Sequence, residues 1–309
     1  MASRGFSLLG LKLDMLLTLS LIIAVSTFVF TLLLGSSVGL IGGVIMALAF
    51  NALMWLISPY LLIGMYGLRE LKRSDLPWLY DALESLARKS GLKIPKLYLA
   101  PVRVPNAFAF GSPIFGYGVA VTEGLLRDLT EDEVEAVVGH EVGHIKHRDM
   151  HVMMIATALP SIFMQMGRWV MMSSAYSYSG RDRESNAGAA LLIGSLLMVI
   201  GWILYLLALR LSRLREFYAD AHSAITVERG AEKLQRALVR IVESTDPRRG
   251  EQLVAAKALM IADPTVSYRI REYMEREPSL FERVMNLFST HPRVEDRLRR
   301  LEELKALYG

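Results

Sequence analysis

The chain has 309 residues, 52% of them hydrophobic, with 35 Lys and Arg against 31 Asp and Glu and no cysteine. That is too apolar for an ordinary soluble domain. Thiol catalysis and thiolate metal ligands are excluded, and the small basic excess comes with no nucleic-acid-binding pattern, so no nucleic-acid partner is expected.

Two apolar runs open the chain, "MLLTLSLIIAVSTFVFTLLLG" (15–35) and a second over 38–67. Each exceeds the roughly 20 residues needed to cross a bilayer. Residues 1–67 are therefore predicted to form a transmembrane hairpin. The 36–37 link carries no charge, whereas Arg69, Lys72 and Arg73 follow the second run.

A polar block, 68–151, comes next. "SDLPWLYDALESLARKSGL" (74–92) places Asp75 before Pro77 and repeats apolar residues at helical spacing as far as Gly91, which predicts a helix. "KLYLA" (96–100), "AFAFG" (107–111) and "YGVAVT" (117–122), separated by Pro and Gly, predict short strands. Thr130 and Glu133 in "LTEDEVEAVV" form a capping box that starts another helix.

That helix runs into four histidines in twelve residues: His140, His144, His147 and His151. The other three fall within about 40° of His140 on one helix face, so direction does not choose among them. Distance does: a zinc–histidine bond is about 2.0–2.1 Å, and positions four apart, rising roughly 6 Å, let two imidazoles converge on one ion. Two such pairs exist, His140/His144 and His147/His151. The leading histidine of the first is followed by Glu141, that of the second by Arg148. A carboxylate can take a proton from an activated water and a guanidinium cannot. "HEVGH" therefore reads as a metal-binding pair with its general base.

A second hairpin is predicted over 152–209. Its apolar runs are 152–173, weakened by Pro160, Gln165 and Arg168, and 191–209. Lys146 and Arg148 precede this hairpin, and Arg210, Arg213 and Arg215 follow it, while the charges of 174–187 balance. Positive charge stays on the cytoplasmic side. Both termini and the HEVGH helix are thus expected in the cytoplasm of a four-span protein. Residues 210–309 read as a helical tail.

A catalytic zinc site needs a third protein ligand. Glu216, Asp220, His222 and His291 are the downstream candidates. Glu216 and Asp220 lie four apart on one helical face, so Glu216 could bind metal while Asp220 accepts a ligand histidine's N–H. Alternatively, both carboxylates simply answer Arg213 and Arg215.

"PNAFAFG", "GHEVGHIKHRD", "REFYAD" and "STHPRVEDR", in this order and interleaved with two hydrophobic hairpins, resemble the HtpX family of membrane-integrated zinc endopeptidases. CAAX-prenyl endopeptidases and Oma-type proteases are more distant relatives. The resemblance implies an α-helical membrane protein whose cytoplasmic catalytic domain is α+β, zincin-like (gluzincin-type), with a small β-sheet. The domain's halves would be 68–151, with the HExxH helix, and 210–309, with the third ligand. One Zn2+ per chain would be held by His140, His144 and Glu216. Glu141 would be the base, with Asp220 behind the ligands. His291 would stabilise the oxyanion, and Asn106 would hold substrate backbone. His147, His151 and His222 receive no metal role. The partners implied are the lipid bilayer and membrane-protein or unfolded polypeptide substrates, as in protein quality control under stress.

Two other classes compete. A CAAX-type prenyl-protein endopeptidase would need an enclosed intramembrane chamber, for which four spans are few. A non-enzymatic metal-binding or transport protein would carry plentiful polar residues within its spans, and here they are sparse.

Overall fold

The computed structural model describes residues 52–53, 55–176, 183–244 and 279–308. The apolar run 15–35 and the opening of 38–67 lie outside them. Of the second run, helix α1 (Trp55–Tyr66) is described. The chain divides into two compact units: one holds Leu56–Met150 and the described residues from Ser212 onward, the other Trp55 and the described part of His151–Leu211.

In the first unit, the three predicted strands form as β2 (Lys96–Ala100), β3 (Ala107–Ser112) and β4 (Gly116–Thr122). A short strand β1 (Arg69–Leu71), too brief to show a period in the sequence, completes a sheet of order β1-β2-β4-β3. The β2–β4 pair is parallel and the other two are antiparallel. Alternation sorts the side chains between two cores. Leu97, Ala107, Val119 and Val121 face the main helical core. Tyr98, Phe108, Phe110 and Ala120 face an aromatic cluster that includes Tyr66 of α1.

Strand β3 is an edge of this sheet. The Thr122 N–H donates to the Asn106 carbonyl at 3.0 Å, which fixes the phase of the β3–β4 ladder. Bonded positions alternate, so Phe108 and Phe110 pair with β4 while the N–H groups of Ala107 and Ala109 point to the open edge.

Helix α2 (Pro77–Lys89) has Pro at its first position and ends before Gly91, whose φ of 67° suits the chain reversal. Helix α3 (Glu123–Asp128) leads to α4 (Glu131–Lys146), whose Thr130/Glu133 capping box is formed as its spacing predicts. From Ala136 to Gly143 every residue of α4 is buried. Around it lie α2, the sheet, and α7 (Gly230–Ser244), which α9 (Val294–Tyr308) covers in turn. Helix α8 (Leu280–Leu287) precedes α9.

Helices α5 (Asp149–Tyr176) and α6 (Arg183–Thr226) carry the second unit. Their segments Asp149–Met171 and Gly188–Thr226 are long and apolar enough to cross a membrane. Pro160 does not end α5. The two helices meet at small residues: a Cβ on Gly167 would lie 2.7 Å from the Gly194 carbonyl oxygen, and one on Gly201 3.2 Å from that of Pro160. Close approach through glycine is how helices associate where burial in lipid offers no hydrophobic drive.

Candidate metal centre

His140 and His144 project from α4, and Glu216 and Asp220 from α6. Small residues set the distance between these helices. Gly139 and Gly143 of α4 lie against Ser223 and Ala219 of α6, and Ser223 Oγ donates to the Ala136 carbonyl at 2.6 Å. A larger residue on either face would hold the helices, and therefore the two ligand sets, apart.

The resulting geometry is that of a metal site. His140 Nε2 and His144 Nε2 lie 3.1 Å apart. Glu216 Oε2 is 3.6 Å from the first and Glu216 Oε1 is 3.5 Å from the second. A tetrahedral zinc with bonds of about 2.0–2.1 Å would hold its ligand atoms about 3.3 Å apart. Among the described residues, this trio is the one His/Asp/Glu group whose ligand atoms converge, all within 4.8 Å of one another.

Protonation strengthens the argument. His144 Nδ1 lies 2.6 Å from Asp149 Oδ2, and His140 Nδ1 lies 2.9 Å from Asp220 Oδ1. A carboxylate can only accept, so each ring carries its proton on Nδ1 and presents a lone pair at Nε2. Two lone pairs and a carboxylate then face one another, an arrangement that repels itself unless a proton or a metal ion lies between. Around them four carboxylates (Glu141, Asp149, Glu216 and Asp220) meet two guanidiniums (Arg215 and Arg297). A divalent cation offsets the remaining two negative charges. Burial pulls the His140 pKa down, but its hydrogen bonds to Asp220 and Glu216 outweigh that and push it up to about 9. The pocket favours positive charge at this ring.

The other residues named from the sequence lie as follows. Glu141 is 3% exposed, and its Oε2 accepts the edge N–H of Ala109 at 2.7 Å. His291, just before α9, places Nδ1 3.3 Å from Glu216 Oε2. Asn106 is buried at the start of β3, where its N–H donates to Thr122 Oγ1 at 2.9 Å. His147 stacks edgewise on Tyr218, with ring centroids 3.8 Å apart, and burial pulls its pKa down to about 4. His222 contacts Ser90 Oγ at 2.9 Å, and His151 packs against Trp55.

Two residues of the site, Arg297 and Asp149, went unread in the sequence. Arg297 of α9, with no exposed surface, grips both oxygens of Asp220 and lies 3.7 Å from Glu216 Oε2. It stands within "STHPRVEDR", which pointed only to His291. The acidic pair of α6 thus answers an arginine 77 positions downstream of Asp220. Arg213 instead donates to the carbonyls of Leu287 and Ser289. Arg215 turns to Asp149, the second unread residue, at 3.7 Å. The acidic residue after the last basic pair of "GHIKHRD" was its only sign.

The pattern of peptidase family M48 matches residues 73–305, three quarters of the chain and the whole of this site. The chain belongs to peptidase family M48. It is 39% identical over 280 residues to a protease HtpX homolog of Aeropyrum pernix, covering 86% of both chains. With protease HtpX homolog 2 of Saccharolobus solfataricus it shares 38% identity over 80% of this chain and 74% of that one. A protease HtpX homolog of Thermoplasma volcanium is 33% identical, covering 96% of this chain and 93% of the relative. The crystal structure of S. mikatae Ste24p shares the fold with a TM-score of 0.58, at 17% identity, over 96% of this chain and 66% of that one. This M48 member is a metallopeptidase of the HtpX type.

Proposed function

We propose that this M48 metallopeptidase is a multi-pass membrane zinc endopeptidase that cleaves cytoplasmic segments of misfolded or damaged membrane proteins. The observation that carries the reading is the convergence of His140 Nε2, His144 Nε2 and Glu216, with Glu141 tied to the open edge of β3. Nitrogen and carboxylate donors at this spacing suit zinc. When bound, it supplies Lewis acidity that polarises a peptide carbonyl and lowers the pKa of water.

The chain's own groups do the rest. Glu141 accepts the proton of the attacking water and returns it to the leaving amine. His291, beside Glu216, donates toward the oxygen on which negative charge develops. An extended peptide adds to the edge of β3, where the Ala107 N–H and the Ala109 carbonyl face outward, the Ala109 N–H being held by Glu141, and Asn106 helps to hold the substrate backbone. Recognition through backbone reads few side chains, which suits varied, damaged substrates. Asp220 and Arg297 keep His140 in its tautomer.

The catalytic unit is expected to be zincin-like and to face the cytoplasm, with four membrane spans. Loop charges support that orientation, and the length and apolar character of α5 and α6 support membrane residence. The deciding experiment incubates purified full-length protein in detergent with an unfolded polypeptide, with and without a zinc chelator. Cleavage that stops on chelation and returns with zinc is expected; cleavage indifferent to chelation would overturn the reading. Reporter fusions at 36 and within 176–186 should read external, and those at 90 and 250 cytoplasmic.

A further inference from the structure

We propose that Asp149 is a positioning residue of the metal centre, holding His144 in the tautomer and direction that aim its Nε2 at the metal. The break in the helix at Arg148 is what brings it there. The inference rests on His140, His144 and Glu216 being the ligands.

In an unbroken α-helix, a residue five beyond His144 would lie about 140° around the axis and about 7.5 Å along it. Its carboxylate would face away from the imidazole. The chain does otherwise. Helix α4 ends at Lys146, His147 caps it, and Arg148 takes a φ of 56° before α5 starts at Asp149. The reversal turns the Asp149 carboxylate back so that Oδ2 accepts from His144 Nδ1 at 2.6 Å.

Left-handed backbone is uncommon for a residue with a Cβ, and Arg148 gains nothing obvious from it, being exposed. A conformational outlier beside a reactive site is the kind of feature that function retains. Asp149 itself is 2% exposed, and its other oxygen, Oδ1, makes no hydrogen bond among the described residues. Its ion-pair contacts are with His144 and, at 3.7 Å, with Arg215.

The two ligand histidines are supported unequally. His140 leans on Asp220, which Arg297 grips with two nitrogens. His144 leans on Asp149, whose guanidinium partner stands farther off. On this geometry His144 is the ligand more easily lost, and Asp149 governs how long the metal stays.

A purely structural role is the competing explanation, since Asp149 opens α5 and an acidic or capping side chain stabilises a helix start. Ser or Asn would serve that purpose almost as well. Neither restores a charged acceptor on His144, and Ser is too short to reach it. The test compares Asp149→Asn and Asp149→Ser with wild type, as full-length zinc-loaded protein in detergent. It follows the rate at which a chromophoric chelator removes zinc, alongside the melting temperature of the metal-free forms. Zinc should leave about 10- to 100-fold faster from Asp149→Ser and by a smaller factor from Asp149→Asn, with metal-free melting nearly unchanged. Arg148→Gly, which adopts the same backbone freely, should retain zinc like wild type.

Zinc retention at the wild-type rate in both Asp149 variants would overturn the proposal while leaving the ligand assignment standing. Should Asp149→Ser not fold, the isosteric Asp149→Asn decides alone on the same criterion. A wild-type protein that takes up no zinc would overturn both readings.

Discussion

The backbone N–H of Ala109 donates to Oε2 of Glu141 at 2.7 Å, joining the edge strand to the carboxylate beside the metal ligands. One contact thereby fixes the base relative to the surface on which a peptide would lie. Glu141→Gln would keep an oxygen able to accept that bond but could not take a proton. It should bind zinc as wild type does and lose proteolysis by about 10²- to 10⁴-fold. Metal analysis and peptide cleavage on one preparation check this; near-wild-type turnover would remove Glu141 as the base.

Glu216→Ala should lower the zinc content of the purified protein. His147→Ala and His151→Ala should not, because those rings pack on Tyr218 and Trp55 and lie outside the converging trio. Atomic absorption on the three variants discriminates; zinc lost from His147→Ala would show that the wrong histidine pair has been assigned.

Close contact between α4 and α6 makes Gly143 sensitive. A Cβ there would sit 3.0 Å from His222 Cβ and 3.1 Å from Ala219 Cα. Gly143→Val should destabilise the folded unit by about 1–3 kcal/mol. It should also weaken zinc binding, because it parts the helices that carry the ligands. Unaltered melting and zinc content would show that the helices can separate without disturbing the site.

Arg297 faces a different test, since it is the buried partner of Asp220. Arg297→Met leaves that carboxylate without its guanidinium and should cost about 3–5 kcal/mol. Arg297→Lys keeps the charge but loses the two-pronged grip, so its loss should be smaller. Denaturant unfolding of the two variants gives the order, and equal losses would show that charge and geometry are not separable there.

His147 predicts the acid response. Its pKa falls from 6.5 unfolded to about 4 folded, because burial disfavours the charged ring. Its contribution is therefore present above pH 6.5 and is lost as pH falls through 4. Metal-free His147→Gln should lose less stability than metal-free wild type between pH 6.5 and 4. Parallel melting curves across that window would contradict the burial argument.

Much of this was legible in the chain because it depends on local order. Strand alternation at 96–122, the capping box at Thr130 and Glu133, and the pairing of His140 with His144 repeat at short spacings that the backbone itself sets. Glu216 and Asp220, four apart, could be put on one helical face for the same reason, but their roles came only from the family resemblance. Strand β1, at three residues, was too short to carry a period.

What only the tertiary structure decided are the contacts that close over long separations. Spacing allowed Arg213 and Arg215 to answer the acidic pair, but packing of α9 delivers Arg297 to Asp220 instead. Periodicity continued past His144 gives no reason for Asp149 to return to it, and a single left-handed residue reverses that expectation. The sequence names the donors because a metal demands particular atoms. The fold decides which of the neighbouring charges faces each donor, because burial and helix packing are settled by the whole unit at once.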